Sequence, residues 1–428
     1  MYTLGYSFRP WTDPKSIADG PAIMDYLKGA IDEGGIEKHI RFRRKATRAV
    51  WSSAEARWQV TVENADDGTE ETYRARFIHM CTGYYNYHHG YVPRFENEGA
   101  FKGSIIHPQH WPEDLDYRGK KVVIIGSGAT AVTLVPAMAE TAEHVTMLQR
   151  SPTYIIAMPA EDKWANRFRR VLPARLAYGM TRWKNVLFGR WFFWYCRTRP
   201  ERAKAFFLDK VREELGDDFD IETHFTPRYN PWEQRVCLAP DGDFFEAMRN
   251  GTASVVTEHI DRFTENGILL KSGETLEADI IVRATGLDLA FFGGMDIVVD
   301  NRPVVPGETV SYKGMMFGGV PNFALSTGYT NASWTLKCDL TSAYVCRLLN
   351  HMDKKGFTQA LPQGDMESVD IDPILNLSSG YIARRADDMP KQGKEMPWRM
   401  HHNYLLDILH LGYGSVNDTA MQFSRPDA

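Results

Sequence analysis

The stretch KVVIIGSGATAVTLVPAMAE, residues 121–140, limits what this chain can fold into more than any other segment. Val122 to Ile125 form a β-branched run, the pattern of a parallel strand buried on both faces. Gly126, Gly128 and Ala131 follow in the spacing G-x-G-x-x-A. In that arrangement the first glycine permits a tight turn and the second admits a pyrophosphate against the backbone. The small third residue lets helix and strand pack closely. Ala131, Leu134, Val135 and Met138 recur at helical spacing, which aims a helix N-terminus at the phosphates. Ser127, Ala129 and Thr130 complete the loop and are expected to touch the cofactor with it. HVTMLQR supplies a second apolar strand about twenty residues after the glycines, where a dinucleotide fold needs one. Strand, loop, helix and second strand together predict a doubly wound α/β domain.

The end of that second strand separates the two nicotinamide cofactors. NAD sites usually place a carboxylate there to hold the ribose 2′-hydroxyl, whereas this chain has Gln149-Arg150-Ser151. A carboxylate would repel a 2′-phosphate, and a guanidinium can grip one through two hydrogen bonds. Arg150 and Ser151 therefore point to NADPH. The other reading of Arg150 is a solvated charge at a strand end.

At 428 residues the chain has room for two or three domains. Its 43% hydrophobic and 25% charged residues are those of an ordinary globular protein, and its net charge of −5 argues against a general nucleic-acid binder. Five scattered cysteines form no CxxC pair, so neither a disulfide framework nor a zinc site is expected, and a reducing cytoplasm fits. His88-His89 and His401-His402 have no carboxylate or cysteine pattern around them, and are expected at the surface or in packing. The N-terminus lacks a secretory signal pattern, and no apolar run reaches the roughly 18 residues a membrane span needs.

The glycine loop sits oddly far along the chain, and the residues before it carry a resemblance. Phe101, Gly103, His107, Trp111 and Pro112 stand in the pattern FxGxxxHxxxWP. This resembles the fingerprint of type I Baeyer–Villiger monooxygenases, within the flavin-containing monooxygenase superfamily. CTGYYNY, LQRSPTYI, YNPWEQR, ATGLDL and GYTNASWTLKCDL extend the likeness along nearly the whole chain. The family carries two dinucleotide loops, the first for FAD and the second for NADPH, and the loop at Gly126 resembles the second. No G-x-G-x-x-G precedes residue 100. Relative to the family pattern the chain is expected to begin late, at an internal methionine, without the first FAD strand–loop–helix. Weak or absent FAD binding by this chain is the corresponding expectation, with an unpaired sheet position where that strand would lie.

The resemblance implies two Rossmann-like, three-layer domains, for FAD and NADPH, with a helical insert. Residues 1–100 read as the truncated first part of the FAD domain, with a helical stripe at Ile23, Leu27, Ala30 and Ile31. An antiparallel meander is expected around Ala49–Trp51 and Trp58–Val62. Residues 101–151 and 229–280 read as the NADPH domain, 152–228 as the insert, and 281–428 as the rest of the FAD domain. That last part includes a helix through Leu336, Leu340, Tyr344 and Leu348, ended by Gly356. Thr82-Gly83 and Ala284-Thr285-Gly286 resemble the family's two crossings between domains, and Thr82 and Gly83 are expected at the cofactor.

The insert carries twelve Lys or Arg and one acidic residue, Glu201, between 163 and 204, with aromatics interleaved. Three readings stand: peripheral contact with an anionic membrane at its inner face, a lid lining a substrate pocket, or a solvated helical subdomain.

In the family, NADPH reduces FAD and the reduced flavin takes up O2 as a C4a-peroxide. That species inserts oxygen into ketones and, once protonated, oxidises sulfur in thioethers or thioamides. A fixed cation keeps the peroxide charged and stabilises the tetrahedral adduct, and the resemblance assigns this to Arg235 of YNPWEQR. Family members often have Lys-Arg at that place, whereas this chain has Gln234-Arg235. Its structural alternative is an arginine on a domain-junction loop. His107 and Trp111 read as domain-linker residues, the histidine orienting backbone rather than moving a proton. The competing functions are an N- or S-oxygenating flavin monooxygenase without ketone activity, and an inert NADPH-binding fragment. No metal is expected.

Overall fold

The β-branched run becomes the centre of a five-stranded sheet. Its strands are β1 (Ser104–Ile106), β2 (Lys121–Ile125), β3 (His144–Gln149), β4 (Ala253–Thr257) and β5 (Ile280–Arg283), in the order β4-β3-β2-β5-β1. Every neighbouring pair is parallel. These relations come from a computed structural model describing residues 1–234, 236–364, 371–374 and 380–425. Helix α1 (Ala129–Ala139) lays Ala131, Val132, Val135 and Met138 on one face, against Val122 and Ile124. A three-stranded antiparallel sheet, Ile260–Thr264, Gly267–Leu270 and Thr275–Glu277, covers the other face against Val123, Ile125 and Ile281. A strand with apolar side chains on both sides is stable only between two such layers.

The segment 152–228 is mostly helical but is not a free-standing unit. It opens with a strand, Ile155–Met158, paired in parallel with Cys237–Pro240. Three longer helices follow, α2 (Lys163–Val171), α3 (Ala174–Thr198) and α4 (Pro200–Leu215), and then a short one, Ile221–Phe225. Val211 of α4, with Ile221 and Phe225, joins the same core as β2, so the end of the segment belongs to the nucleotide-binding layer.

The flanking parts form a second body. Arg44–Ser52, Arg57–Asn64 and Glu70–Ala75 make an antiparallel meander with Trp51 opposite Trp58, both fully buried. Asp296–Val299 extends it in parallel. Ile78–Met80 pairs in parallel with Phe323–Leu325 alone. The long helix α5 (Trp334–Lys355) buries Leu336, Tyr344 and Leu348 and stops at Gly356, whose φ of 70° is left-handed. The helix Gly20–Gly34 forms as its spacing predicts: Ile23, Leu27, Ala30 and Ile31 are half-buried, Leu27 packs against the N-terminal aromatic cluster, and Tyr26 is the fully buried residue. The chain from Tyr2 to Trp11 folds over it: Trp11 meets the Tyr26 ring edge-on at 5.3 Å, and the Tyr26 hydroxyl donates to the Arg9 carbonyl.

Candidate active site

Gly126 leaves β2 with φ 133°, and a Cβ there would overlap the carbonyl oxygen of Ala284. Only glycine meets both conditions. Its N–H donates to the Leu148 carbonyl at 2.8 Å, locking the turn against β3. Ser127 Oγ donates to the Ser151 carbonyl at 3.0 Å, so the end of β3 is tied to the loop. Gly128 is the N-cap of α1, with open space where a side chain would be and no side-chain cap. Ala129 and Thr130 are exposed, and Ala131 is fully buried beneath them. The first N–H groups of α1 thus face an open cradle, which fits a pyrophosphate. Arg150 is exposed beside it and forms no ion pair with a described residue, while Gln149 turns inward to donate to the His224 carbonyl and Thr257.

The two crossings lie side by side. Tyr85–Gly90 pairs antiparallel with Leu287–Leu289, the Tyr91 N–H donates to the Gly286 carbonyl, and Thr285 Oγ1 donates to the Tyr91 carbonyl at 2.6 Å. Thr82 is exposed at the start of this strap, and Gly83 turns there with φ 68°.

Residues 101–112 strap the linker to that crossing. Phe101 packs edge-on to Phe263, and Gly103 runs against the Asp279 carbonyl, where a Cβ would collide. His107 caps the turn Pro108–His110, its Nδ1 accepting from the Gln109 N–H at 3.2 Å. That bond leaves the ring proton on Nε2, which lies toward Gly90 and the Gly286 carbonyl. Burial lowers the His107 pKa, so the ring is neutral. Gln109 Nε2 donates to the Asn86 carbonyl at 2.6 Å, and His110 bonds the His88 carbonyl. Trp111 packs edge-on to Tyr117 beside the nucleotide core, and the Pro112 carbonyl accepts from Leu115.

A cavity of about 770 Å³ opens between α3, the loop around Trp232, the residues leading into α5, and 399–405. Phe193 of α3 meets Trp232 edge-on at 5.8 Å, which brings the loop Tyr229–Gln234 to the wall. Arg235 itself lies outside the described residues. The wall is mixed: Phe193, Trp194 and Leu336 beside Arg190, Asn331 and His401. Asn331 Oδ1 and His401 Nε2 are buried there without a hydrogen-bond partner among the described residues. His402 also lines it, bonded to the Ile374 carbonyl at 3.2 Å, and burial lowers its pKa. The histidine pair at 401–402, expected in packing or at the surface, is therefore a wall of the cavity. His88 and His89, by contrast, are exposed. Underneath, the fully buried Lys337 ammonium of α5 pairs with Asp407 at 3.5 Å, and the Tyr329 hydroxyl donates to the same carboxylate. No cluster of three metal-ligating side chains occurs among the described residues.

Residues 12–193 match the flavin-binding monooxygenase-like family. The FAD-containing monooxygenase EthA of Mycobacterium tuberculosis is 49% identical over 429 aligned positions, covering 100% of this chain and 87% of its own length. The chain belongs to the flavin-binding monooxygenase-like family. Its fold also matches an oxidized steroid monooxygenase bound to NADP, with a TM-score of 0.75 over 99% of this chain and 89% of that one, at 22% identity. OTEMO in complex with FAD and NADP matches with a TM-score of 0.67 over 82% of this chain and 74% of that one, also at 22% identity. For this family member the cradle at Gly126 fits a nicotinamide dinucleotide. No second G-x-G-x-x-G or G-x-G-x-x-A loop occurs among the described residues.

Proposed function

We propose that this chain is an NADPH- and O2-dependent flavin monooxygenase that inserts oxygen into ketones, with S-oxygenation of thioethers or thioamides as a second activity. FAD, when bound, supplies the redox chemistry that reduces and transfers oxygen. This chain's residues bind NADPH at Gly126–Ala131, with Arg150 and Ser151 beside the 2′-phosphate. They also enclose the substrate in the cavity below α3, and the resemblance assigns to Arg235 the developing negative charge. The observation that carries the ketone reading is the strap of Phe101–Pro112 onto the crossing strand Tyr85–Gly90. It ties the nicotinamide-binding body to the second body through His107 of the Baeyer–Villiger pattern, which lies against Gly90, and through Gln109 and His110 between the pattern positions. Peripheral attachment of 163–204 to the inner face of the cell membrane belongs to the same reading, and the exposed aromatics of α3 support it.

The test is a product assay beside a flavin measurement. The purified chain is denatured and its flavin content read from the visible spectrum, and a ketone is supplied with NADPH, O2 and added FAD. Ester or lactone formed with NADPH and lost in Arg235→Ala supports the proposal. Sulfoxide without any ester favours the N- or S-oxygenating alternative. A chain that binds NADPH but holds no flavin under any condition favours the inert-fragment alternative.

A further inference from the structure

We infer that the cavity below α3 selects substrates that end in a carboxylate, held at the cavity mouth by Arg190 and Arg399, with the reacting carbonyl at the far end. The carbonyl rests on the monooxygenase reading, whereas the carboxylate site rests on the cavity wall alone.

Spacing sets which face of α3 the cavity meets. Asn185, Gly189, Phe193 and Arg197 recur at steps of four residues, and Val186, Arg190 and Trp194 stand beside them in the same rhythm. All seven line the cavity. Arg190 and Arg197 therefore lie about 10 Å apart along the helix axis, with Phe193 and Trp194 between them. Gly189 stands inside the helix, where glycine is less favourable than alanine. A Cβ there would meet nothing within 4 Å, so the missing side chain leaves that face of the wall open.

The charges of the lining are unbalanced. Three guanidinium groups, Arg190, Arg197 and Arg399, face one carboxylate, Asp372. Arg190 and Arg399 are exposed, so they stand where the cavity opens, and neither forms an ion pair with a described residue. Arg399 uses one nitrogen to donate to the Lys394 carbonyl at 3.1 Å. Arg197 is the arginine with a carboxylate close by: hydrogen bonds from Asn230 and then the Arg197 charge lower the Glu233 pKa. That leaves Arg190 and Arg399 for a ligand. The excess charge also reaches inward, since burial lowers the His401 pKa and the Arg399 charge adds to the shift.

A guanidinium fork matches a planar carboxylate through two hydrogen bonds. Half-buried Phe193 and buried Leu336 supply the apolar wall that a hydrocarbon chain needs. An ion pair open to solvent adds little by itself. The chain therefore supplies most of the affinity, and the two arginines decide between an acid and its ester. An uncharged ketone would fill the same wall and leave both guanidinium groups to water.

Binding is measured on the full chain from quenching of tryptophan fluorescence, because Trp194 and Trp232 line the cavity. The probes are a medium-chain methyl ketone ending in a carboxylate and the methyl ester of the same compound. The acid is expected to bind roughly tenfold more tightly, and added salt should shrink that advantage. Arg190→Gln/Arg399→Gln should erase the advantage while moving the ester less than about twofold, and Arg190→Lys/Arg399→Lys should retain part of it. Arg190→Gln alone gives the same direction should the double variants fail to fold. Gly189→Leu should weaken acid and ester alike, because it fills space that both occupy. Equal affinity for the two probes, an advantage that survives the double glutamine variant, or Gly189→Leu without effect would each overturn the inference. Product assays with NADPH and added FAD on the same two probes separate the readings. Acid preference in binding without product leaves the carboxylate site standing and removes the ketone chemistry. Product from acid and ester at equal kcat/KM does the reverse.

Discussion

Gly90 and His107 occupy one another's space: the imidazole of His107 lies where a side chain at position 90 would begin. Gly90 ends the crossing strand and His107 caps the linker turn, so this close approach joins linker to crossing beside the hydrogen bonds of Gln109 and His110. Gly90→Ala is expected to lower stability by about 1–3 kcal/mol by overpacking. His107→Ala vacates that space, so Gly90→Ala should cost far less in its presence. Thermal unfolding of the two single variants and the double variant measures this coupling. Additive losses would remove the contact as the cause.

The two loop glycines should fail differently. Gly126→Ala meets a left-handed φ and a carbonyl oxygen together. It should destabilise the fold by about 2 kcal/mol or more. Gly128 has φ −78° and open space around it, so Gly128→Ala should fold normally and lose affinity for NADPH, because the added methyl enters the phosphate cradle. Melting temperature and NADPH titration, run side by side on both, resolve the difference.

The glycine loop was legible because every level of the sequence agreed there: a β-branched run, small residues at fixed offsets, then a helical period. Helix α5 was equally plain, down to its stop at Gly356. The stripe at Ile23 and Leu27 was legible as a half-buried side, but periodicity shows that a helix has an apolar side, not which neighbour arrives to cover it. Tyr26 is buried because the N-terminal aromatics Tyr6 and Trp11 fold back onto it. The cavity was the least legible part. Its walls come from α3, the loop before Arg235, the start of α5 and 399–405, which no local pattern connects. Asn331 lies within GYTNASWTLKCDL and His401 in a histidine pair, but neither context marks a cavity wall, and the buried polar atom that each leaves without a partner among the described residues exists only in three dimensions.

Arg150 should set cofactor preference. It is exposed at the end of β3, where Ser151 is tied to the glycine loop. A guanidinium–phosphate contact contributes about 1.5–3 kcal/mol. Arg150→Ala should therefore weaken NADPH roughly tenfold to a hundredfold and leave NADH almost unchanged. Equal losses for both would place Arg150 outside the 2′-phosphate site.

Lys337 and Asp407 hold one wall of the cavity to another, since α5 carries the lysine and Asp407 ends the helical turn Tyr404–Asp407. The lysine is wholly buried, and burial lowers its pKa despite the carboxylate. Removing one partner strands the other in a dry interior, a loss of about 3–5 kcal/mol. Asp407→Leu should therefore melt well below the parent. Lys337→Met with Asp407→Leu should recover much of that loss, which denaturant unfolding of the three variants would show.

Stability should decline in mild acid because of buried imidazoles. His79, His107, His224, His401 and His402 all have pKa values lowered from 6.5, in each case chiefly by loss of solvent. Above pH 6.5 these rings are neutral in both folded and unfolded chains, and their contribution is complete. Below it the unfolded chain takes up protons that the folded one refuses, so unfolding gains with each step down in pH. The denaturation midpoint should hold steady from pH 8 to about 6.5 and fall between about 6.5 and 5. His402 is the most enclosed of the five, bonded to the Ile374 carbonyl beside the cavity. His402→Gln keeps a donor there without a titrating ring and should flatten part of the acid slope. A slope unchanged in that variant would assign the acid loss to the other four.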